Sequence, residues 1–284
     1  MSIVVTGATG ALGRLVLEDL LATVPASEIA AVVRDEAKAA DLAARGVEIR
    51  VADYSDPASL EGAFRAGDRV LMISGSEVGH RVPQHTAVIG AAKAAGVAQL
   101  AYTGILGGPE ADFDLAAEHR VTEQLILDSG LPHTFLRNGW YHENYTAQLG
   151  NVLEHGAVVG SAGEGRIASA ARADYAAAAA AVVTGEGHLN KVYELSGDTS
   201  WSLAEYAAEV AAQSGREIAY AAVPADAHLE VLTGAGVPAG FAAILVDVDA
   251  AISRGRLAGT SGDLAKLIGR PTTPIAAAIA AALA

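Results

Sequence analysis

The chain has 284 residues, enough for one large α/β domain or for a nucleotide-binding domain with a small lobe. With 51% hydrophobic and 18% charged residues it reads as compact and globular, not disordered. A net charge of −14, from 19 Lys+Arg against 33 Asp+Glu, repels a phosphate backbone and excludes direct nucleic-acid binding, and zero cysteines exclude disulfides, thiolate catalysis and Cys-ligated zinc.

In chain order, short β-branched runs alternate with helical patterns: IVVTG, ALGRLVLEDLL, IAAVVR, EAKAADLAARG and VEIRVAD. That alternation signals βαβ units and a parallel sheet. It continues through SDPASLEGAF, where Asp56 is expected to cap a helix with Pro57 at its first position. RVLMIS, PQHTAVIGAAKAAG and AQLAYTG follow, then a helix from about Asp114 to Ser129 closed by Gly130, then HTFLRN. Six strands are complete by Asn138, and KVYEL at 191–195 is a late seventh that returns to the sheet.

After Asn138 the pattern changes to GWYHENYTAQLG and the Gly-punctuated GAVVGSAGEGRIAS. Ser202 with Glu205 three residues later reads as a capping box. The expected architecture is α/β, a Rossmann-type doubly wound parallel sheet over 1–138. Residues 139–284 mostly form a small C-terminal substrate lobe over the carboxyl edge of the sheet, where open α/β sheets bind ligands. No run approaches the roughly 20 apolar residues that span a bilayer. The first strand starts at Ile3 with no basic segment before it, so a cytoplasmic protein without membrane insertion is expected.

The strongest motif is VVTGATGALGRLV, with glycines at Gly7, Gly10 and Gly13 between a strand and an amphipathic helix. Such a loop sets backbone N–H groups and a helix N-terminus against a pyrophosphate. Thr6, Gly7, Thr9, Gly10, Ala11, Leu12 and Gly13 are therefore candidate dinucleotide contacts. The second strand ends in Arg34, whose forked guanidinium suits a ribose 2′-phosphate, and Lys38 lies one turn on. NADP is favoured over NAD. Asp35, one residue along, is read as the N-cap of the next helix instead of the acid that binds a ribose 2′-hydroxyl. Asp53 after the third strand either faces the adenine or forms a turn. Ser74, Gly75 and Ser76 after the fourth strand, and Thr103 and Gly104 closing the fifth, also fall on the ligand side.

TGATGALG, VPASEIAAVVR, ADYSDPASL, ISGSEVGHR, AYTG, LRNGWYHENY, ASAARADYAAAAA and KLIGRPTT together resemble the bacterial type 2 NAD(P)H:quinone oxidoreductases. These are members of the NmrA-like atypical short-chain dehydrogenase/reductase family. The likeness runs over essentially the whole chain; triphenylmethane reductases of the same family are similar less closely. The resemblance implies NADPH along the glycine loop and Arg34, a small quinone-like substrate in the cleft between the lobes, and no flavin. It also implies that Arg137, Asn138, Gly139, Trp140 and Tyr141 border the nicotinamide and the substrate, with Gly104 beside them. On their chemistry alone, Trp140 and Tyr141 either stack on a flat ring or anchor the lobe.

FDLAAEHRVTEQ, Phe113 to Gln124, carries Leu115 and His119 where short-chain dehydrogenases carry a Tyr-x-x-x-Lys pair. Hydride reduction of a ketone makes an alkoxide about as basic as hydroxide, whose parent water has a pKa of about 15.7, so a positioned acid matters. A quinone yields a phenolate-like anion with a conjugate acid near tyrosine's pKa of about 10, which water protonates. The missing pair thus fits a quinone reductase. Thr103, His119 and Tyr141 are candidate catalytic residues.

The eight histidines show no metal spacing, and no G-x-S-x-G nucleophile elbow occurs, so neither a metal site nor a hydrolase is expected. The competing functions are a carbonyl, imine or dye reductase with the same cofactor, and a non-catalytic NmrA-type NADP(H) sensor. Oligomeric state is left between monomer and homodimer.

Overall fold

The inner strands are short, largely apolar runs because they are covered on both faces. β1 (Ile3–Thr6), β2 (Ile29–Val33), β3 (Glu48–Val51), β4 (Arg69–Met72), β5 (Gln99–Ile105) and β6 (His133–Asn138) alternate with helices α1 (Ala11–Thr23), α2 (Ala40–Ala44), α3 (Arg81–Ala95) and α4 (Asp114–Ser129). β2 and β5 are buried at every position, as central strands of a parallel sheet are. The computed structural model describes residues 2–284.

These six strands pair in parallel. Further along come α5 (Glu143–Thr146), α6 (Leu149–His155), β7 (Ala157–Gly160), β8 (Arg166–Ile167), α7 (Arg172–Thr184) and β9 (Lys191–Leu195). β9 completes a seven-stranded sheet of order β3-β2-β1-β4-β5-β6-β9. The order reverses between β1 and β4, the switch point where doubly wound sheets open a ligand crevice.

Alternation along the strands sorts their side chains. Val4, Val70, Met72, Leu100 and Tyr102 lie in one core cluster with Val88, Ile89 and Ala92 of α3 and Ile126 of α4. Each such buried aliphatic side chain is worth roughly 1.5–3 kcal/mol.

Two expected helices are shorter than their sequences suggest. Asp35 caps a 3₁₀ turn over Glu36–Ala39, accepting from the Ala37 amide, before the brief α2. Asp56 likewise caps a 3₁₀ turn over Pro57–Leu60. In both, the carboxylate bonds the amide two residues on, which favours a tight turn over a continuing α-helix.

The chain divides into two units. The first holds 1–108, 118–138 and 173–194, and the second holds 109–117, 139–172 and 195–284. The segment that returns to the first unit includes most of α7 as well as β9. The second unit adds β10 (Trp201–Ser202), α8 (Leu203–Ser214), β11 (Ala219–Ala222), α9 (Ala225–Gly234), α10 (Ala239–Ser253), α11 (Asp263–Ile268) and α12 (Ile275–Leu283). Within it β7 pairs with β11 in parallel and β8 with β10 antiparallel. Ser202 and Glu205 form the expected capping box at the start of α8. Among the described residues no helix is long and apolar enough to cross a membrane.

Candidate functional site

β1 and α1 are joined by a turn that only glycines allow. The Gly10 amide donates to the Gly7 carbonyl at 2.9 Å, and Gly7 has φ +59°, in the left-handed region. A Cβ at Gly13 would lie 2.8 Å from Cα of Ala8, so the third glycine lets the helix pack against the turn. Gly10 is the N-cap of α1, no side chain caps the helix, and its first turn holds no acid. Its leading amides and the positive end of its dipole are thus open to an anion such as a dinucleotide pyrophosphate.

Gly7, Thr9, Gly10, Ala11, Leu12, Gly13, Arg34, Lys38, Asp53, Ser74, Gly75 and Ser76 line one groove. The structure brings together twelve expected residues from four loops, and adds Tyr54, Glu77 and Gln84 to the wall. Arg34 is exposed and pairs with Glu77 at 3.2 Å. Asp53 accepts from the Ser55 amide at 2.8 Å, so it both forms the turn and lines the groove.

Several residues support the groove from beneath. Thr6 is buried: its hydroxyl accepts from the Ile73 amide at 3.1 Å and from the Tyr54 hydroxyl, and donates to the Leu71 carbonyl. Burial raises the Tyr54 hydroxyl above its ordinary pKa, so it remains a donor. Thr103, also buried, accepts from the Ser74 amide at 2.9 Å. Gly75 donates its amide to His85 Nε2 at 3.0 Å and accepts from Arg81 Nε at 2.6 Å. Burial, with Arg81 next in effect, lowers His85 to a pKa of about 3. The ring is therefore neutral, with its proton on Nδ1 facing Thr122 Oγ1 at 2.8 Å. His85 and Arg81 escaped sequence reasoning, because only the fold carries α3 beneath the Ser74–Ser76 loop.

Other expected residues lie in the interior. His119 is buried, with Nδ1 2.7 Å from the Tyr102 hydroxyl. Burial and then Arg81 lower its pKa to about 3, leaving it neutral. Arg137 binds Glu123 through Nε at 2.9 Å and Nη2 at 2.7 Å, and Glu194 through Nη1 at 2.7 Å. Burial alone would lower its pKa, but the bonds to both carboxylates outweigh that and raise it. Arg137 is thus engaged in a partly buried ion triad and does not line the groove. Gly104 lies against the same triad, where a Cβ would stand 3.2 Å from Glu123 Oε1. Asn138 is buried at the end of β6, its carbonyl accepting from the Leu106 amide at 2.9 Å.

Gly139, Trp140 and Tyr141 begin the next segment of the second unit. The Gly139 amide donates to the Leu195 carbonyl at 2.7 Å. Trp140 hydrogen-bonds the Tyr145 side chain, and Tyr145 stacks edge-on against Trp201 with centroids 4.9 Å apart. Tyr141 bridges to Ala170 and carries the Arg172 guanidinium 4.8 Å above its ring. Ser161, His228 and Asp249 also meet in this unit, but Ser161 Oγ and Asp249 Oδ2 both approach Nδ1 of His228, at 3.1 and 3.2 Å. A nucleophilic triad bonds its serine and its acid to opposite ring nitrogens, so this cluster is not one. Among the described residues, no group of three or more His, Asp or Glu side chains is arranged to hold a metal ion.

The chain matches the NAD(P)H-binding family over residues 7–186. It is 50% identical over 277 residues to quinone oxidoreductase 2 of Escherichia coli (strain K12), covering 98% of this chain and 97% of that protein. Among solved structures it is similar to the NADPH-dependent quinone oxidoreductase of Escherichia coli complexed with NADPH, with a TM-score of 0.97, 50% identity, and 99% and 100% of the two chains covered. It is also similar to the Citrobacter sp. triphenylmethane reductase complexed with NADP(H), with a TM-score of 0.95, 41% identity, and 99% and 100% covered. With this groove at its switch point and a family match across most of its length, the chain belongs to the NAD(P)H-binding family.

Proposed function

We propose that the protein is an NADPH-dependent reductase of quinones and similarly planar, electrophilic acceptors, acting in the cytoplasm. The observation that carries this reading is a dinucleotide groove on a fold whose α4 lacks the Tyr-x-x-x-Lys acid pair. Leu115 replaces the tyrosine of the usual acid pair, and His119 is buried, neutral and engaged with Tyr102. The full-length similarity to an NADPH-dependent quinone oxidoreductase supports the same conclusion.

NADPH, when bound, supplies hydride; the protein supplies binding and orientation. The Gly7–Gly13 turn and the N-terminus of α1 hold the pyrophosphate, Arg34 and Lys38 the 2′-phosphate, and Asp53 the adenosine end. Ser74, Gly75 and Ser76 present backbone to the rest of the dinucleotide, and Thr103, His85 and Arg81 fix that backbone. Asn138, Gly139, Trp140 and Tyr141 are assigned to the acceptor and the nicotinamide. A quinone's reduced anion, with a conjugate acid near a pKa of about 10, takes its proton from water, so the absent acid costs little. A ketone's alkoxide, about as basic as hydroxide, is costly to form unless a positioned acid protonates it during hydride transfer.

The test is consumption of NADPH and NADH, without added flavin, against a benzoquinone, a naphthoquinone, a simple ketone and a triphenylmethane dye. Rapid NADPH oxidation with the quinones and none with the ketone is expected. Equal turnover of the ketone would overturn the reading. The 41% identity to triphenylmethane reductase favours a second reading, dye reduction, which turnover of the dye alone would support. Tight NADPH binding with no turnover at all would point to a sensor.

A further inference from the structure

Arg34 and Lys38 stand at the groove near the end of β2, but a carboxylate shares their position. Glu77 lies in the loop between β4 and α3, 43 residues from Arg34, and its Oε1 accepts from Arg34 Nη1 at 3.2 Å. Its second oxygen, Oε2, accepts from Gln84 Nε2 at 2.9 Å, and that amide nitrogen also donates to Ser55 Oγ at 3.0 Å. Gln84 is only 7% exposed. The carboxylate is therefore anchored from below on a buried side chain.

The backbone that carries Glu77 is held on both sides. His85 and Arg81 fix Gly75, and Glu118 of α4 accepts from the amides of Gly79 and Arg81 at 2.9 and 3.0 Å. Glu77 thus stands in the groove wall as a built feature, with its charge beside the cation that suits a 2′-phosphate.

We infer that Glu77 is a specificity-determining residue that sets the balance between 2′-phosphorylated and unphosphorylated dinucleotides. This rests on the reading that the groove binds a dinucleotide. A phosphate monoester near neutral pH carries a charge of about −1.5 to −2. To engage Arg34 it must share the guanidinium with Glu77 and lie close to a like charge. A ribose 2′-hydroxyl is neutral and donates a hydrogen bond to a carboxylate, as it does to the acid at the end of the second strand in NAD-binding folds. Glu77 therefore opposes Arg34 and Lys38: they favour the phosphate, and it favours the hydroxyl. The acid absent from the end of β2 is supplied by the β4–α3 loop, and the preference for NADPH is graded instead of absolute.

The test is isothermal titration of wild type, Glu77→Gln and Glu77→Ala with NADP⁺ and NAD⁺, and with adenosine 2′,5′-bisphosphate and AMP, which differ only in the 2′-phosphate. Glu77→Gln keeps an oxygen for Gln84 and removes the charge. Binding of the 2′-phosphorylated ligands should tighten by about threefold to tenfold, the scale of a partly solvated charge pair, while NAD⁺ and AMP weaken or stay level. Dissociation constants that do not change, or that change by one common factor for all four ligands, would overturn the assignment. Failure of wild type to bind any of them would instead overturn the groove reading on which it rests.

Discussion

The amide of Gly75 donates to Nε2 of His85 at 3.0 Å, so a buried histidine of α3 holds the loop that follows β4. The same bond sets the ring's tautomer. Because Nε2 accepts, Nδ1 carries the proton toward Thr122, whose hydroxyl passes the chain to the Glu118 carbonyl at 2.8 Å. A ring with no place in the groove thus shapes the backbone that lines it.

Replacing that ring with a hydrocarbon leaves the Gly75 amide without its acceptor. His85→Phe should cost about 1–3 kcal/mol, the penalty for an unsatisfied polar group, and should raise the Michaelis constant for NADPH more than that for the quinone. Urea unfolding and steady-state kinetics read the two effects. Unaltered values in both would show that the loop keeps its shape by other means.

The buried histidines make stability depend on pH. His85 and His119 titrate near a pKa of about 3 in the folded protein, against about 6.5 when unfolded. Between these values the unfolded chain binds more protons, so stability is full above pH ~6.5 and declines as pH falls through the window. The decline is on the order of 1–3 kcal/mol per pH unit for the two rings together. Tm should therefore drop between pH 7 and pH 5, and His119→Phe should shallow the slope. A Tm constant over that range would contradict the buried neutral state.

Gly13→Ala tests the glycine turn directly. The added methyl would lie 2.8 Å from Cα of Ala8, so α1 must withdraw from the turn. Overpacking of about 1–3 kcal/mol is expected, with NADPH affinity reduced roughly tenfold or more by isothermal titration. Affinity equal to wild type would mean the helix N-terminus does not hold the cofactor.

The two carboxylates around Arg137 should respond unequally. Glu123 is 4% exposed, and Arg137→Met strands its charge, at a cost of about 3–5 kcal/mol. The Glu194 side chain is 33% exposed, so Glu194→Gln should cost about 1 kcal/mol or less. Denaturant midpoints compare them. Equal losses would place Arg137's partnership at the solvent edge.

Trp140→Ala separates acceptor binding from anchoring. If Trp140 meets the acceptor, turnover of a naphthoquinone should fall at least tenfold with NADPH affinity nearly level. A fall in Tm with unchanged kinetics would assign it to support of Tyr145 alone.

The groove was legible where its residues are neighbours in sequence. The Gly7–Gly13 turn, Arg34 with Lys38, and the Asp35 and Asp56 caps all depend on spacings of a few residues. Glu77 was not legible: it meets Arg34 only because the sheet places β4 next to β1, and β1 next to β2. The resemblance placed Arg137 with Asn138 at the nicotinamide, yet successive strand residues point to opposite faces. One face of β6 carries the Arg137 guanidinium into Glu123 and Glu194, and adjacency in sequence says nothing of that partnership.

The Arg137–Glu194 bond joins residues 57 apart in sequence, and β9 is the outermost strand beside β6. On the ribosome, at roughly 5–20 residues per second, Glu194 therefore emerges about 3–11 seconds after Arg137. For that interval β6, with Phe135 and Leu136 on it, is an uncovered strand edge of the kind that templates aggregation. Nascent chains halted before Lys191 should need chaperone protection that slightly longer chains do not, so the charged edge strand also serves as a cover that arrives late in synthesis.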